Sequence, residues 1–489
     1  MQNNLSGKIK NATKWSGITE ILAKLVSPIV NMVLARLLTP EAFGIVATIT
    51  MVITFAEIFT DAGFQKYIVQ HGFENEEELD KSTNVAFWTN LSVSILICII
   101  IFFFRHSIAT IVGSPNLGNS ISIASILILL AAFSSIQMAR YKRGFDFKTL
   151  FFVRIVTTLI PLVITLPLAF VFRNYWALLI GNFVSQFFNA LLLTIKSKWR
   201  PKFFYSFKLF KEMFSFSAWT LLESISIWLT SYIGIFIVGN CLNEYYLGLY
   251  KTSMTTVNSY MAIVTTAITP VLFSALSRYQ NNDEEFKKTY YTFQRLTALL
   301  VIPMGVGIFV FSDLVTMILL GKQWMEASYF MGIWGLSSGL AIVYSNFSSE
   351  VYRSKGNPKI SLFVQLSHLA VIVPVLIVFV KSDFQTFCTA RTLVRFQLIF
   401  MALLIMRVIY KFKITDVIKN TFPMLASAAV MGIAGSGFKL IINAYWWQVV
   451  CVFFCIIIYF SVLFIFPQTR REIFSLPIVR KMLKLKKDT

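Results

Sequence analysis

The sequence predicts an all-α polytopic membrane protein of about 14 transmembrane helices. Two parallel six-helix repeats form N- and C-lobes around a central cavity, and two further helices follow them. Three observations carry this prediction. The 489 residues are 56% hydrophobic and 14% charged, with a mean hydropathy of +0.70. Soluble proteins hold roughly 25% charged residues, so the missing charge is surface that faces lipid. Next, continuously apolar runs of about 20 residues recur along the whole length, which is the length of helix that crosses a bilayer. Their continuity, in place of alternation, selects helices over a barrel. The third observation is an internal repeat.

The repeat is clearest from Glu20 to Gly44. Setting Glu20 against Glu223 pairs Ser27 with Thr230, Asn31 with Gly234 and Glu41 with Glu244 at one offset; Gly44 meets Gly248 after a one-residue slip. Phe104 to Gly113 answers Phe311 to Gly321, Gly144 answers Gly356, and Pro161 answers Pro374. Six spans per copy is an even number, so both copies enter the membrane with the same orientation, related by an axis along its normal. The division that follows is an N-lobe at 1–205 (spans 1–6), a C-lobe at 206–412 (spans 7–12), and spans 13–14 with a basic tail at 413–489.

The spans fall at 17–36, 44–64, 84–104, 119–139, 151–172, 175–195, 216–238, 248–276, 293–312, 328–349, 361–380, 385–407, 421–441 and 446–466. Basic residues on alternate loops split 33 to 6, which puts both termini of a multi-pass protein in the cytoplasm. The net charge of +21 is thus topological and faces the membrane surface, not nucleic acid. The first apolar run has the length of a span and no small-residue cleavage site follows it, so it reads as an uncleaved helix. The acidic run from Glu74 to Asp80 reads as a solvated helix start.

Ionisable side chains inside a span cost at least about 2.5–3.5 kcal/mol at its centre, so each requires a reason. Glu20, Lys24, Ser27 and Asn31 share one face of span one; Thr50, Thr54, Glu57 and Asp61 share one face of span two. Span seven carries Glu223, Thr230 and Gly234, and span eight Lys251, Thr255, Asn258 and Thr265. In span twelve Arg391 and Arg395 lie one turn apart, where their repeat partners in span six are Asn182 and Gln186. Two like charges on one face repel, and they suit a wet cavity that receives a phosphate or carboxylate. Plainer readings stand beside these. Glu20 pairs with Lys24 at i,i+4, Glu57 and Asp61 reach interfacial water, and Lys251 snorkels.

Several classes are excluded. No G-x-x-x-x-G-K-[ST] loop is present, so this chain does not hydrolyse ATP. The five cysteines are odd in number and lack metal spacing. His71, His106 and His368 are scattered without a nucleophile or metal partner. The expectation is a non-enzymatic secondary transporter without cofactor, metal or catalytic residues.

Leu34 to Gly44 (LARLLTPEAFG) resembles the polysaccharide-transporter branch of the multidrug/oligosaccharidyl-lipid/polysaccharide exporter superfamily. Ala12 to Trp15, Asp61 to Phe64, Gly321 to Trp324 and Lys355 to Pro358 are similar to the same family, most of all to its colanic-acid and teichuronic-acid exporter group. The resemblance covers nearly the whole chain. It implies a V-shaped two-lobed fold and alternating-access flipping of undecaprenyl-diphosphate-linked oligosaccharides for O-antigen, capsule or exopolysaccharide synthesis. The implied partners are that lipid-linked substrate, membrane lipids, a polysaccharide polymerase and a chain-length regulator.

In related lipid II flippases, cations on the first and eighth spans face the cavity; Lys24 and Lys251 occupy those spans here. On this reading Lys24, Lys251, Arg391 and Arg395 meet the anionic headgroup, and Asn31, Asn182, Gln186 and Asn258 meet hydroxyls. Glu20, Glu57, Asp61 and Glu223 are candidates for ion coupling. Two rivals remain. A drug or cation antiporter of the same superfamily wants a more acidic cavity, and a membrane polysaccharide polymerase or glycosyltransferase wants a long outer loop that this chain lacks.

Overall fold

The computed structural model describes residues 2–61, 63–442, 444–467 and 469–470, and every regular element in them is helical. The first ten α-helices are α1 (Gln2–Leu37), α2 (Pro40–Asp61), α3 (Phe64–Gln70), α4 (Glu76–Phe103), α5 (Arg105–Ile111), α6 (Gly118–Ala124), α7 (Ile126–Arg143), α8 (Phe147–Ile160), α9 (Leu166–Phe172) and α10 (Trp176–Lys196). Two long helices come next, α11 (Phe207–Cys241) and α12 (Glu244–Arg278). The rest are α13 (Asp283–Val310), α14 (Ser312–Leu319), α15 (Ser328–Ala341), α16 (Phe347–Ser354), α17 (Pro358–Phe379), α18 (Phe384–Val408), α19 (Ile414–Ile441) and α20 (Tyr445–Ile465).

Among the described residues 13 helical segments are long and apolar enough to cross a membrane. They coincide one for one with expected spans two to fourteen; the first expected span lies within α1, a helix of 36 residues. The chain is an all-helical multi-pass membrane protein.

Helix starts are set by local chemistry. Asn75, Asp146, Asn282 and Asp383 each accept a bond from the backbone N–H three residues on, which satisfies one of the orphan donors of a first turn. The side-chain and backbone bonds from Thr386 hold the Asp383 carboxyl below its ordinary range. The acidic run expected to open span three does so, with Glu76, Glu77 and Glu78 in the first turn of α4. Between α8 and α9, Pro161 has no N–H to donate, and the chain widens into a π turn over Pro161–Thr165. α10 approaches that turn at Gly181, where a Cβ would overlap the Thr165 side chain.

The chain divides into two compact units, 1–259 with 365–390, and 260–364 with 391–489. The first unit has apolar packing at both ends of its helices. Val30, Leu34, Leu38, Ala169 and Ala177 cluster where α1 meets α9 and α10. Phe64, Ile68, Val85, Ile136 and Trp199 cluster where α3, α4 and α7 meet. In the same unit the starts of α2 and α12 meet reciprocally. A Cβ on Gly44 would overlap the Glu244 carbonyl, and one on Gly248 would overlap the Pro40 carbonyl. The glycines thus let two helix starts touch backbone to backbone.

The second unit is packed around Tyr290, Phe347, Tyr352, Phe412, Cys455 and Tyr459. Some of its polar side chains bond one another across helices. Asn420 donates to Tyr291 O and Gln294 Oε1 and accepts from Arg295. Lys439 donates to Asp313 at 2.9 Å.

Candidate functional site

Within the first unit, α1, α2, α7, α8 and α10 enclose a cavity of about 1050 Å³. Small-ligand clefts run to about 300–1000 Å³, so this space takes several sugar rings. Its wall mixes apolar side chains with polar ones that a lipid-embedded bundle holds only at a cost. Three amides, Asn182, Gln186 and Asn189, recur at i, i+4 and i+7 along one face of α10. Asn31 of α1 joins them. None of the four side chains hydrogen-bonds a described residue, so their capacity to donate and accept is turned to the cavity.

Charged groups enter from the half of the cavity nearest the N-terminal end of α8. Arg154 of α8 lines the wall and is exposed to it; its guanidinium makes no hydrogen bond or ion pair with a described residue. The Arg154 carbonyl accepts from Thr157 and Thr158, whose hydroxyls also line the wall. Lys142 of α7 donates to Gln65 Oε1 at 2.9 Å. The Glu57 carboxylate of α2 lines the cavity, again with no described partner.

Seven residues singled out from sequence therefore come together here: Ser27, Asn31, Thr50, Thr54, Glu57, Asn182 and Gln186. The others lie elsewhere. Lys24 is half-buried on α1 and is not among the lining residues, and Lys251 lies with Nζ 5.2 Å from the Tyr232 ring. Asn258 is exposed on α12. Glu223 of α11 pairs with Lys66 of α3 at 3.5 Å. Glu20 and Asp61 sit on helical backbone, but their side chains lie outside the described residues.

In the second unit Arg391 and Arg395 of α18 face α15. Both guanidinium carbons lie over the Trp334 ring, at 5.1 and 3.9 Å from its centroid. Arg395 donates to the hydroxyls of Ser337 (3.1 Å) and Ser338 (2.7 Å), and Arg391 is only 6% exposed. Attraction to the one indole ring offsets part of the cost of burying the two like charges together.

Arg154, Asn189, Gln65 and Lys142 are among the lining residues that sequence reasoning missed as site residues. A signal for Arg154 was present. The loop count of 33 and 6 leaves five of the 44 basic residues inside spans, and Arg154 is the fifth after Lys24, Lys251, Arg391 and Arg395.

Comparison with known proteins places this geometry. The chain is 25% identical over 315 residues to the succinoglycan biosynthesis transport protein ExoT of Rhizobium meliloti (strain 1021), covering 64% of this chain and 63% of that protein. It therefore spans less than two thirds of that relative. It is 19% identical to the teichuronic acid biosynthesis protein TuaB of Bacillus subtilis (strain 168), over 74% of each chain. In structure it is similar to the lipid II flippase MurJ in an inward closed conformation, with a TM-score of 0.76 over 93% of this chain and 99% of that one, at 14% identity. That likeness establishes the fold. Residues 33–329, more than half of the chain, match the family described as "Polysaccharide biosynthesis protein", and the chain belongs to that family.

Proposed function

We propose that the protein is a flippase that moves an undecaprenyl-diphosphate-linked oligosaccharide from the cytoplasmic to the outer leaflet of the bacterial inner membrane. It would serve surface polysaccharide synthesis by alternating access. The observation that carries this reading is the polar cavity of the first unit. Its unpartnered amides and arginine are costly inside a membrane bundle unless a polar ligand engages them. The names of ExoT and TuaB support a polysaccharide substrate. The 33-to-6 basic asymmetry supports cytoplasmic termini.

In this proposal the sugars enter the cavity while the lipid tail stays in the bilayer. Lys24 and Lys251 are proposed contacts for the diphosphate. Arg391 and Arg395 are weaker candidates for the anion, because Trp334 engages both and two serine hydroxyls hold Arg395. Glu57 is the proposed coupling group best placed to sense cavity occupancy, with Glu20, Asp61 and Glu223 as further candidates. A polymerase and a chain-length regulator are proposed partners. A drug-cation antiporter fits less well, because Arg154 repels a cation from the same cavity.

The test is reconstitution in vesicles with a fluorescent lipid-diphosphate-linked oligosaccharide and an added glycosidase that reaches only the outer leaflet. Protein-containing vesicles are expected to expose substrate loaded on the inside, and protein-free vesicles to retain it. Equal exposure in both would overturn the proposal.

A further inference from the structure

We propose that the cavity of the first unit is a glycan subsite selective for a sugar bearing one carboxylate, with Arg154 as the specificity-determining residue. The inference rests on the flippase reading and assigns one part of the substrate to one part of the molecule. The amide row of Asn182, Gln186 and Asn189, faced by Asn31, offers paired donors and acceptors without formal charge. That chemistry matches the vicinal hydroxyls of a pyranose, each of which donates and accepts. A guanidinium at the same wall adds a planar fork that takes a carboxylate through two parallel bonds.

Charge decides which anion it takes. A diphosphate carries about two negative charges and calls for several cations or backbone N–H groups. Here Lys142 is already engaged by Gln65, and the Glu57 carboxylate lines the same cavity. Gln65 is neutral and leaves the Lys142 charge in place, so two cations opposed by one carboxylate give the wall a single net positive charge, which suits a monoanion and disfavours a polyanion. A uronic-type sugar therefore seats in this cavity, and the diphosphate binds elsewhere.

The experiment measures binding of two soluble disaccharides to the purified full chain in detergent: cellobiuronic acid, which has one carboxylate, and cellobiose, which has none. Wild-type protein is expected to bind the acid about tenfold or more tightly than the neutral sugar, the worth of a charge-assisted hydrogen bond. Arg154→Gln is expected to abolish that preference while cellobiose affinity stays unchanged, which also shows that the variant is folded. Arg154→Lys should retain a reduced preference. Pyrophosphate should not displace cellobiuronic acid. Equal binding of the two sugars by wild type, an undiminished preference in Arg154→Gln, or displacement by pyrophosphate would each overturn the subsite. Vesicle transport of a lipid-linked oligosaccharide is a separate readout, so the flippase reading stands or falls on its own.

Discussion

Arg154 and the pair Arg391 and Arg395 are the same side chain put to opposite uses. In the second unit the two guanidiniums lie on Trp334, and Arg395 is held by two serine hydroxyls. Their charge is absorbed by the protein. In the first unit Arg154 faces a cavity and bonds no described residue. Its charge is left for something else. The surroundings differ in the same sense. The span that carries Trp334, Lys322–Ser354, has 72% of its apolar window buried, against 17% for Phe147–Phe172, which carries Arg154. A charge in a membrane helix is therefore no evidence of a binding site until its partners are known.

Four substitutions sharpen this contrast, in falling order of their effect on stability. Trp334 is 3% exposed and serves both arginines. Trp334→Ala should cost about 3–5 kcal/mol, read as a large fall in the thermal unfolding midpoint in detergent. Arg395→Ala should cost about 1–2 kcal/mol through the lost stack and serine bonds. Transport per folded molecule is expected to survive it; a loss of transport at full stability would instead move the anion site to α18.

The Lys66–Glu223 pair is about half exposed on both sides. Lys66→Ala should change stability by under about 1 kcal/mol, and by less at high salt. Arg154→Gln should leave stability within about 0.5 kcal/mol, while acidic-sugar binding falls as set out above. An unfolding effect as large as that of Arg395→Ala would show that Arg154 also has a structural duty.

A pH titration adds one signed expectation. The Asp383 carboxyl at the start of α18 is held below its ordinary range by Thr386. A depressed carboxyl stabilises the fold above its unfolded pKa, and that contribution disappears as pH falls through the folded value. Asp383→Ala protein should therefore lose stability relative to wild type at neutral pH, with the difference narrowing in acid. A difference that grew on acidification would contradict the capping role.

Much of the fold was legible because lipid imposes a simple rule. A helix that crosses it must be continuously apolar, so spans two to fourteen were found at their positions from sequence. Asn31, Asn182 and Gln186 were legible by the same rule inverted, since an amide in an apolar run demands a reason. Arg154 escaped because it lies near the start of span five, where a basic side chain ordinarily reaches interfacial water. The stacking of Arg391 and Arg395 was not legible at all. Trp334 is more than fifty residues away, and no local pattern ties it to α18. The same holds for Lys66 and Glu223, which only the packing of α3 beside α11 brings together.

The central claim is that glycan passes through the cavity of the first unit, and filling that cavity tests it most directly. Asn182 is exposed on the cavity wall, whereas its neighbour Phe183 is exposed on α10 without lining the cavity. Translocation of a lipid-diphosphate-linked oligosaccharide should be measured in vesicles carrying equal amounts of folded wild-type, Asn182→Trp or Phe183→Trp protein. The account predicts a rate near wild type for Phe183→Trp and a loss of about tenfold or more for Asn182→Trp, whose indole occupies the space of a sugar ring. Undiminished translocation by Asn182→Trp would contradict it.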